Sequence, residues 1–123
     1  MARILIAEDD DTVRAFLVRA LGGDGHDLIE TGDGTAALDA LNASNGGIDL
    51  LLSHVKMPGM DGIELALATG RHHPDTAIML MTGYVDQRER AHNLDAFVHD
   101  VTTKPFSVDQ ITSAVREALV RRL

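Results

Sequence analysis

Short apolar runs alternate with amphipathic stretches along this chain, and the alternation repeats five times. Arg3–Ala7 is the first run, halted by Glu8-Asp9-Asp10-Asp11; its length and isoleucine content predict a buried strand. Asp10 or Asp11 suits the N-cap of the following helix, because a carboxylate satisfies free N–H groups and favours the positive end of the dipole. In that helix Val13, Phe16, Leu17, Ala20 and Leu21 recur at helical spacing, and the glycines at 22, 23 and 25 stop it. Residues 26–31 read as a second strand and 33–43 as a helix, with a loop over 44–47 and a third strand over 48–53. A turn, Met57-Pro58-Gly59-Met60-Asp61-Gly62, opens a helix over 63–70, which exits at Pro74-Asp75. Residues 76–81 are nearly continuous in apolar character, as a strand covered on both faces should be. A helix over 84–95 has a thin apolar face (Val85, Ala91, Leu94), and 98–103 is the fifth strand. Ser107 caps a last helix that buries Ile111, Val115, Ala118 and Leu119 and ends in Arg121-Arg122, cations favoured at a helix C-terminus.

Repeated strand–helix alternation predicts an α/β fold, a parallel sheet with helices on both faces. The length, 123 residues, fits a single domain over 1–123, and with the last helix closing the chain no output domain is expected. Aromatics are only 3%, so the core must come from Leu, Ile, Val, Met and Ala. The formal charge of −8 disfavours nonspecific binding to nucleic acid or to anionic membrane, both of which need basic surface. There is no cysteine, hence no disulfide framework or thiol chemistry. No apolar run approaches the ~20 residues that span a bilayer. Met1-Ala2-Arg3 leads straight into a strand, which leaves no room for a signal peptide, so a cytoplasmic location is expected.

The candidate chemistry lies at the strand ends. In a doubly wound sheet, ligands sit beyond the carboxyl ends of the strands near the switch in strand order. Glu8 and Asp9 end the first strand, His54 follows the third, Thr82 the fourth and Lys104 the fifth. Singly, these are ordinary residues: a Glu-Asp pair caps a turn, a threonine ends a strand, a lysine is surface charge. Five polar groups from four separated segments converging on one pocket is a far more specific arrangement. Met57, Met60, Met79 and Met81 read as core and turn packing, and Tyr84 as a helix-start surface residue.

As a set, Glu8-Asp9, His54 before Met57-Pro58, Thr82 and Lys104-Pro105 resemble the phosphoacceptor pocket of CheY-like response-regulator receiver domains. The resemblance covers essentially the whole chain. It implies a flavodoxin-like (βα)5 fold with five parallel strands in the order 2-1-3-4-5. It also implies Mg²⁺ held by Glu8, Asp9 and the backbone carbonyl of Lys56, a hard cation on oxygen ligands. Thr82 would hydrogen-bond the phosphoryl group, Lys104 would pair with its oxygens, and Gly83 would leave the pocket open. The implied role is two-component phosphorelay signalling by protein binding rather than by turnover. A sensor kinase or phosphotransferase and a downstream target would use the face built from the 84–95 helix, the fifth strand and the last helix, as a monomer or weak homodimer. Leu5-Ile6-Ala7-Glu8-Asp9-Asp10 and Met60-Asp61-Gly62-Ile63-Glu64-Leu65-Ala66 look most like single-domain regulators of the CpdR type, which implies a ClpXP-type protease among possible partners.

The departures from the family pattern carry the most information. His54 stands where the family has the aspartate that takes the phosphoryl group. Imidazole removes an anionic oxygen ligand, so Mg²⁺ binding should weaken, and an acyl phosphate cannot form at position 54. A pocket fixed in one state is the favoured expectation, with a cationic His54 paired to Glu8 and Asp9 in place of the metal. A pH-sensing pair and a transition-metal site are the other two readings. An aspartate-to-histidine substitution in an ordinary receiver would leave the same pattern, as its inactive form. Val101 occupies a place where many receivers carry an aromatic switch residue, and Phe97-Val98 replaces a common small pair. The competing class is a haloacid-dehalogenase-like phosphatase using Asp10, which needs Asp-x-Asp after the first strand and finds Glu8 in the nucleophile's place.

Overall fold

The structure is a computed structural model that describes residues 2–82, 100–103 and 107–121. The described elements run β1 (Arg3–Ala7), α1 (Asp11–Gly23), β2 (Asp27–Thr31), α2 (Gly34–Ser44), β3 (Leu50–His54), α3 (Gly62–His72), β4 (Ala77–Thr82), β5 (Asp100–Thr103) and α4 (Val108–Arg121). The strands form one parallel sheet in the order β2-β1-β3-β4-β5. The helix expected over 84–95 lies outside the described residues, as do Gly83, Phe97, Val98, Lys104 and Pro105.

Strand side chains alternate between faces, and each face has its own core. Leu5, Ala7, Leu51, Ile78 and Leu80 point to one side, where Ala37 and Leu41 of α2 and Ile63, Leu65 and Ala66 of α3 cover them. Ile4, Ile6, Leu50, Leu52, Ala77, Met79 and Met81 point to the other, under Leu17 and Leu21 of α1 and Ile111, Val115 and Ala118 of α4. The central strands are therefore apolar on both faces, which is why they read as continuous runs. Among the described residues, the largest fully buried side chains are all Leu, Ile and Met.

Helix starts follow the expected cap chemistry. Asp10, not Asp11, caps α1: its Oδ1 accepts from Thr12 N–H at 2.9 Å and Val13 N–H at 3.1 Å. Asp33 caps α2 through Ala36 N–H at 2.7 Å, and Ser107 and Gln110 exchange bonds of 3.1 and 2.7 Å at the start of α4. The third strand begins at Leu50 rather than at 48, with Asp49 leading into it: Asp49 N–H donates to Arg3 C=O at 2.9 Å and Asp49 C=O accepts from Ala77 N–H at 3.0 Å. Ile48 C=O accepts from Thr76 Oγ1 at 2.9 Å, and Asp49 Oδ2 accepts from Arg3 N–H at 2.8 Å. The same strand runs one residue further than expected, so that His54 belongs to it. Among the described residues no helix is long and apolar enough to cross a membrane.

Candidate functional site

β1 and β3 are neighbours, and the connections that follow them leave on opposite faces of the sheet. A crevice opens at their carboxyl ends. Glu8 continues the line of β1, its N–H donating to Thr31 C=O at 3.1 Å. That register turns the Glu8 side chain inward, where it is 0% exposed. A buried carboxylate needs hydrogen bonds or opposite charge to offset lost hydration. Its Oε2 accepts from Asp10 N–H at 3.2 Å and lies 3.2 Å from His54 Nδ1. Asp9, with a side chain 37% exposed, places Oδ1 3.4 Å from the same nitrogen.

His54 is held from behind. It is the last residue of β3, paired with Met81, and the next N–H, of Val55, donates to Met81 C=O at 2.9 Å. Ser53 Oγ donates to the His54 carbonyl at 2.9 Å. Gly62 then crosses directly over this carbonyl: a Cβ at Gly62 would lie 2.1 Å from His54 O and 2.9 Å from Val55 Cα. Only glycine allows the start of α3 to approach this closely. Gly62 N–H donates to Val55 C=O at 2.7 Å, and Gly59 takes a positive φ of 72° to turn the loop. A reciprocal capping box between Asp61 and Glu64 completes the start of α3.

The electrostatics of the site follow from one atom. Nδ1 of His54 faces two carboxylate oxygens, so a bare lone pair there would be repelled from both sides. Nδ1 carries a proton or meets a cation. Glu8, Asp9 and His54 each offer one ligand atom, and these atoms lie within 4.8 Å of one another. The set is one imidazole nitrogen and two carboxylates, with the imidazole side chain 15% exposed. Mg²⁺ demands an octahedron of oxygens at about 2.0–2.1 Å, and a nitrogen donor in the third corner fits it poorly.

The structure brings together Glu8, Asp9 and His54 of the residues expected from sequence. Lys56 lies exposed in the loop behind His54. Thr82 ends β4 opposite Thr103, and Val101 lies beside Leu80 in the β5 register. Lys104 lies outside the described residues. Asp10 is turned to α1, which takes its Oδ1 for the cap. Arg14 was not anticipated. Its Nη1 donates to Glu8 C=O at 2.8 Å and its Nη2 to Asp11 Oδ1 at 2.5 Å, so it braces the end of β1 from the α1 side. The Asp11/Arg14 spacing of three, an ordinary helical pair, was the only hint in the sequence.

Comparison with known proteins places the chain in a family. The response regulator receiver domain family matches residues 4–116. The response regulator receiver protein CpdR of Brucella abortus is 34% identical over 120 residues, covering 98% of each chain. The sensor kinase CckA of the same species is 35% identical over 122 residues, which is 98% of this chain and 13% of CckA. The chain thus spans a small part of that relative and nearly all of CpdR. A response regulator receiver domain protein from Clostridium thermocellum superposes with a TM-score of 0.90 at 21% identity, covering 99% of this chain and 97% of that one. At that identity the likeness speaks for the fold alone.

Proposed function

The chain belongs to the response-regulator receiver family, and from that premise we propose that it signals without phosphorylation at position 54. In this reading His54 occupies the acceptor place. The observation that carries it is Nδ1 of His54 at 3.2 Å from Glu8 and 3.4 Å from Asp9, at the end of β3. An aspartate acceptor attacks phosphorus through a carboxylate oxygen while Mg²⁺ neutralises the charge that builds on the phosphoryl group. Imidazole supplies no carboxylate oxygen, and its Nδ1 edge ties the ends of β1 and β3 together instead. Glu8 and Asp9 hold that edge, Gly62 presses the His54 carbonyl into place, and Arg14 fixes the other side of β1. The pocket therefore rests in one state.

Signalling then proceeds by protein binding. The partners proposed are those of the family: a sensor kinase or phosphotransferase, a downstream target, and a ClpXP-type protease by likeness to CpdR. Thr82 and Lys104 stand where the family contacts the phosphoryl group, which has no acceptor at position 54 in this reading, and Val101 leaves the aromatic switch without its ring. The phosphatase alternative draws no support from Asp10, whose carboxylate caps α1.

The test is intact mass after incubation with Mg²⁺ and a small acyl-phosphate donor, on this chain and on His54→Asp. Phosphoryl transfer to the aspartate variant only is the expected result. Transfer to the unaltered chain overturns the proposal, and transfer to neither means that the departures extend beyond position 54.

A further inference from the structure

We propose that His26 is a proton-operated latch at the amino ends of β1 and β2, which holds the start of β1 when neutral and, when protonated, releases Ala2 and draws Asp24 away from Arg116 of α4. The pocket around His54 lies at the opposite, carboxyl ends of the strands. The latch therefore works apart from that pocket and leaves its single state untouched.

The two ring nitrogens of His26 have different neighbours. The residue enters β2 as its N–H donates to Leu21 C=O at 3.3 Å, and its side chain is 9% exposed. Nδ1 accepts from the backbone N–H of Ala2 at 3.3 Å. An amide N–H can only donate, so Nδ1 presents its lone pair and the proton of the neutral ring sits on Nε2. Nε2 is buried and has no hydrogen-bond partner among the described residues. Asp24 Oδ2 stands 3.6 Å from it, too far for a hydrogen bond. A buried donor left in this way is costly, so the neutral ring satisfies Ala2 at the expense of its own Nε2–H.

A second ring proton reverses that balance. It must go on Nδ1, where it meets the Ala2 N–H donor to donor, and that bond is lost. Ala2 then keeps its tie to β2 through its carbonyl alone, which accepts from Asp27 N–H at 2.9 Å. The positive ring attracts the Asp24 carboxylate, and a charge-assisted bond of about 2.8 Å needs Oδ2 to approach by roughly 0.8 Å. That oxygen also accepts from Arg116 Nε at 2.8 Å, while Oδ1 takes Nη2. The Arg116 side chain is 62% exposed, so water can replace what it loses. Other charges stand nearby: Asp109 beside Arg116 on α4, and the exposed pair Asp27 and Arg3 at the starts of β2 and β1. The two aspartates favour the charged ring, as Asp24 does, and the two arginines oppose it. Asp24 and Arg116 join the end of α1 to α4 along a groove of about 490 Å³, lined also by Phe16, Ala20 and Val108. Loosening that tie alters the groove wall, so a proton taken up under β2 is read out on the α1–α4 face.

The experiment is a heteronuclear NMR titration of the full chain from about pH 8 to about pH 5, the range in which imidazoles change charge. It follows the ring nitrogens of His26, the backbone amide of Ala2 and the Nε–H of Arg116, in the unaltered chain, His26→Gln and Asp24→Asn. The expected result is an Nε2–H ring at the alkaline end. On acidification the Ala2 and Arg116 signals should then move with the midpoint of His26. Both steps should vanish in His26→Gln, whose amino terminus is unchanged, and only the Arg116 step should vanish in Asp24→Asn. A proton on Nδ1 at the alkaline end overturns the proposal, as does an Arg116 signal that does not follow His26. A step that persists in His26→Gln also overturns it, by assigning the change to another group. The tautomer is read on the unaltered chain, so that arm stands even if a variant folds poorly. Neither His26 nor Asp24 touches His54, so failure here leaves the functional reading standing.

Discussion

Replacing Gly62 with alanine tests the closest contact that supports the site. The new Cβ would sit 2.1 Å from His54 O and 2.9 Å from Val55 Cα, where ordinary contact begins near 3.4 Å. The start of α3 must retreat by about 1 Å, since neither obstacle is the end of a flexible side chain. Overpacking of this kind costs about 1–3 kcal/mol. The retreat also stretches the 2.7 Å bond from Gly62 N–H to Val55 C=O, with a further loss of about 0.5–1.5 kcal/mol. Reduced freedom of the unfolded chain offsets about 0.4–1 kcal/mol. The net expectation is a destabilisation of about 2–3 kcal/mol, or a fall in Tm of roughly 8–12 °C for a domain this size. Gly23→Ala is the matched control, because a Cβ there meets nothing within 4 Å. It should change stability by less than about 0.5 kcal/mol or raise it slightly. Equilibrium urea unfolding at constant m-value measures both. If Gly62→Ala unfolds within about 0.5 kcal/mol of Gly23→Ala, the close-approach argument is wrong.

Further expectations follow from other parts of the fold. Asp61→Ala removes the side-chain half of the capping box at α3, the bond that Glu64 N–H donates to Asp61 Oδ1, and should cost about 1 kcal/mol in urea unfolding, with Asp61→Asn recovering most of it. Leu52→Ala opens a cavity in the core beneath α1 and α4 and should cost about 2–5 kcal/mol, against less than about 0.5 kcal/mol for Val120→Ala on the surface. Asp24 bonds to Arg116 of α4, with Nε donating to Oδ2 at 2.8 Å, and that hydrogen bond holds its carboxyl below the usual value of 3.8. A lowered folded value means that the unfolded chain takes up the proton first. The stabilisation is therefore fully present above about pH 5 and is lost as pH falls below about 4. Thermal melts of the unaltered chain and of Asp24→Asn should differ at neutral pH and draw together as pH falls below about 4, and a difference that does not shrink at all on acidification would remove the Asp24 carboxylate pairing with Arg116 as its cause.

Periodicity in the residue pattern determined most of the architecture. Five apolar runs, each followed by an amphipathic stretch or a turn, already imply a parallel sheet covered on both faces, because a strand buried on two sides carries few polar residues. Two caps were legible for the same local reason: Asp10 and Ser107 act on N–H groups two or three residues away. The residue types of the pocket were legible too, as acids and a histidine at strand ends. What only the tertiary structure decided is distance across the chain. Glu8 and His54 are 46 positions apart in sequence, and only the β1–β3 register sets Nδ1 3.2 Å from Oε2. Arg14 reads as a surface helix cation until α1 packs against the sheet and swings its guanidinium to the Glu8 carbonyl. Gly62 reads as a turn glycine, although its φ is unexceptional and what requires it is the His54 carbonyl pressed against its α-carbon. Local pattern sets which elements form, whereas the meeting of His54 with Glu8 and Asp9 arises only when separate strands are packed side by side.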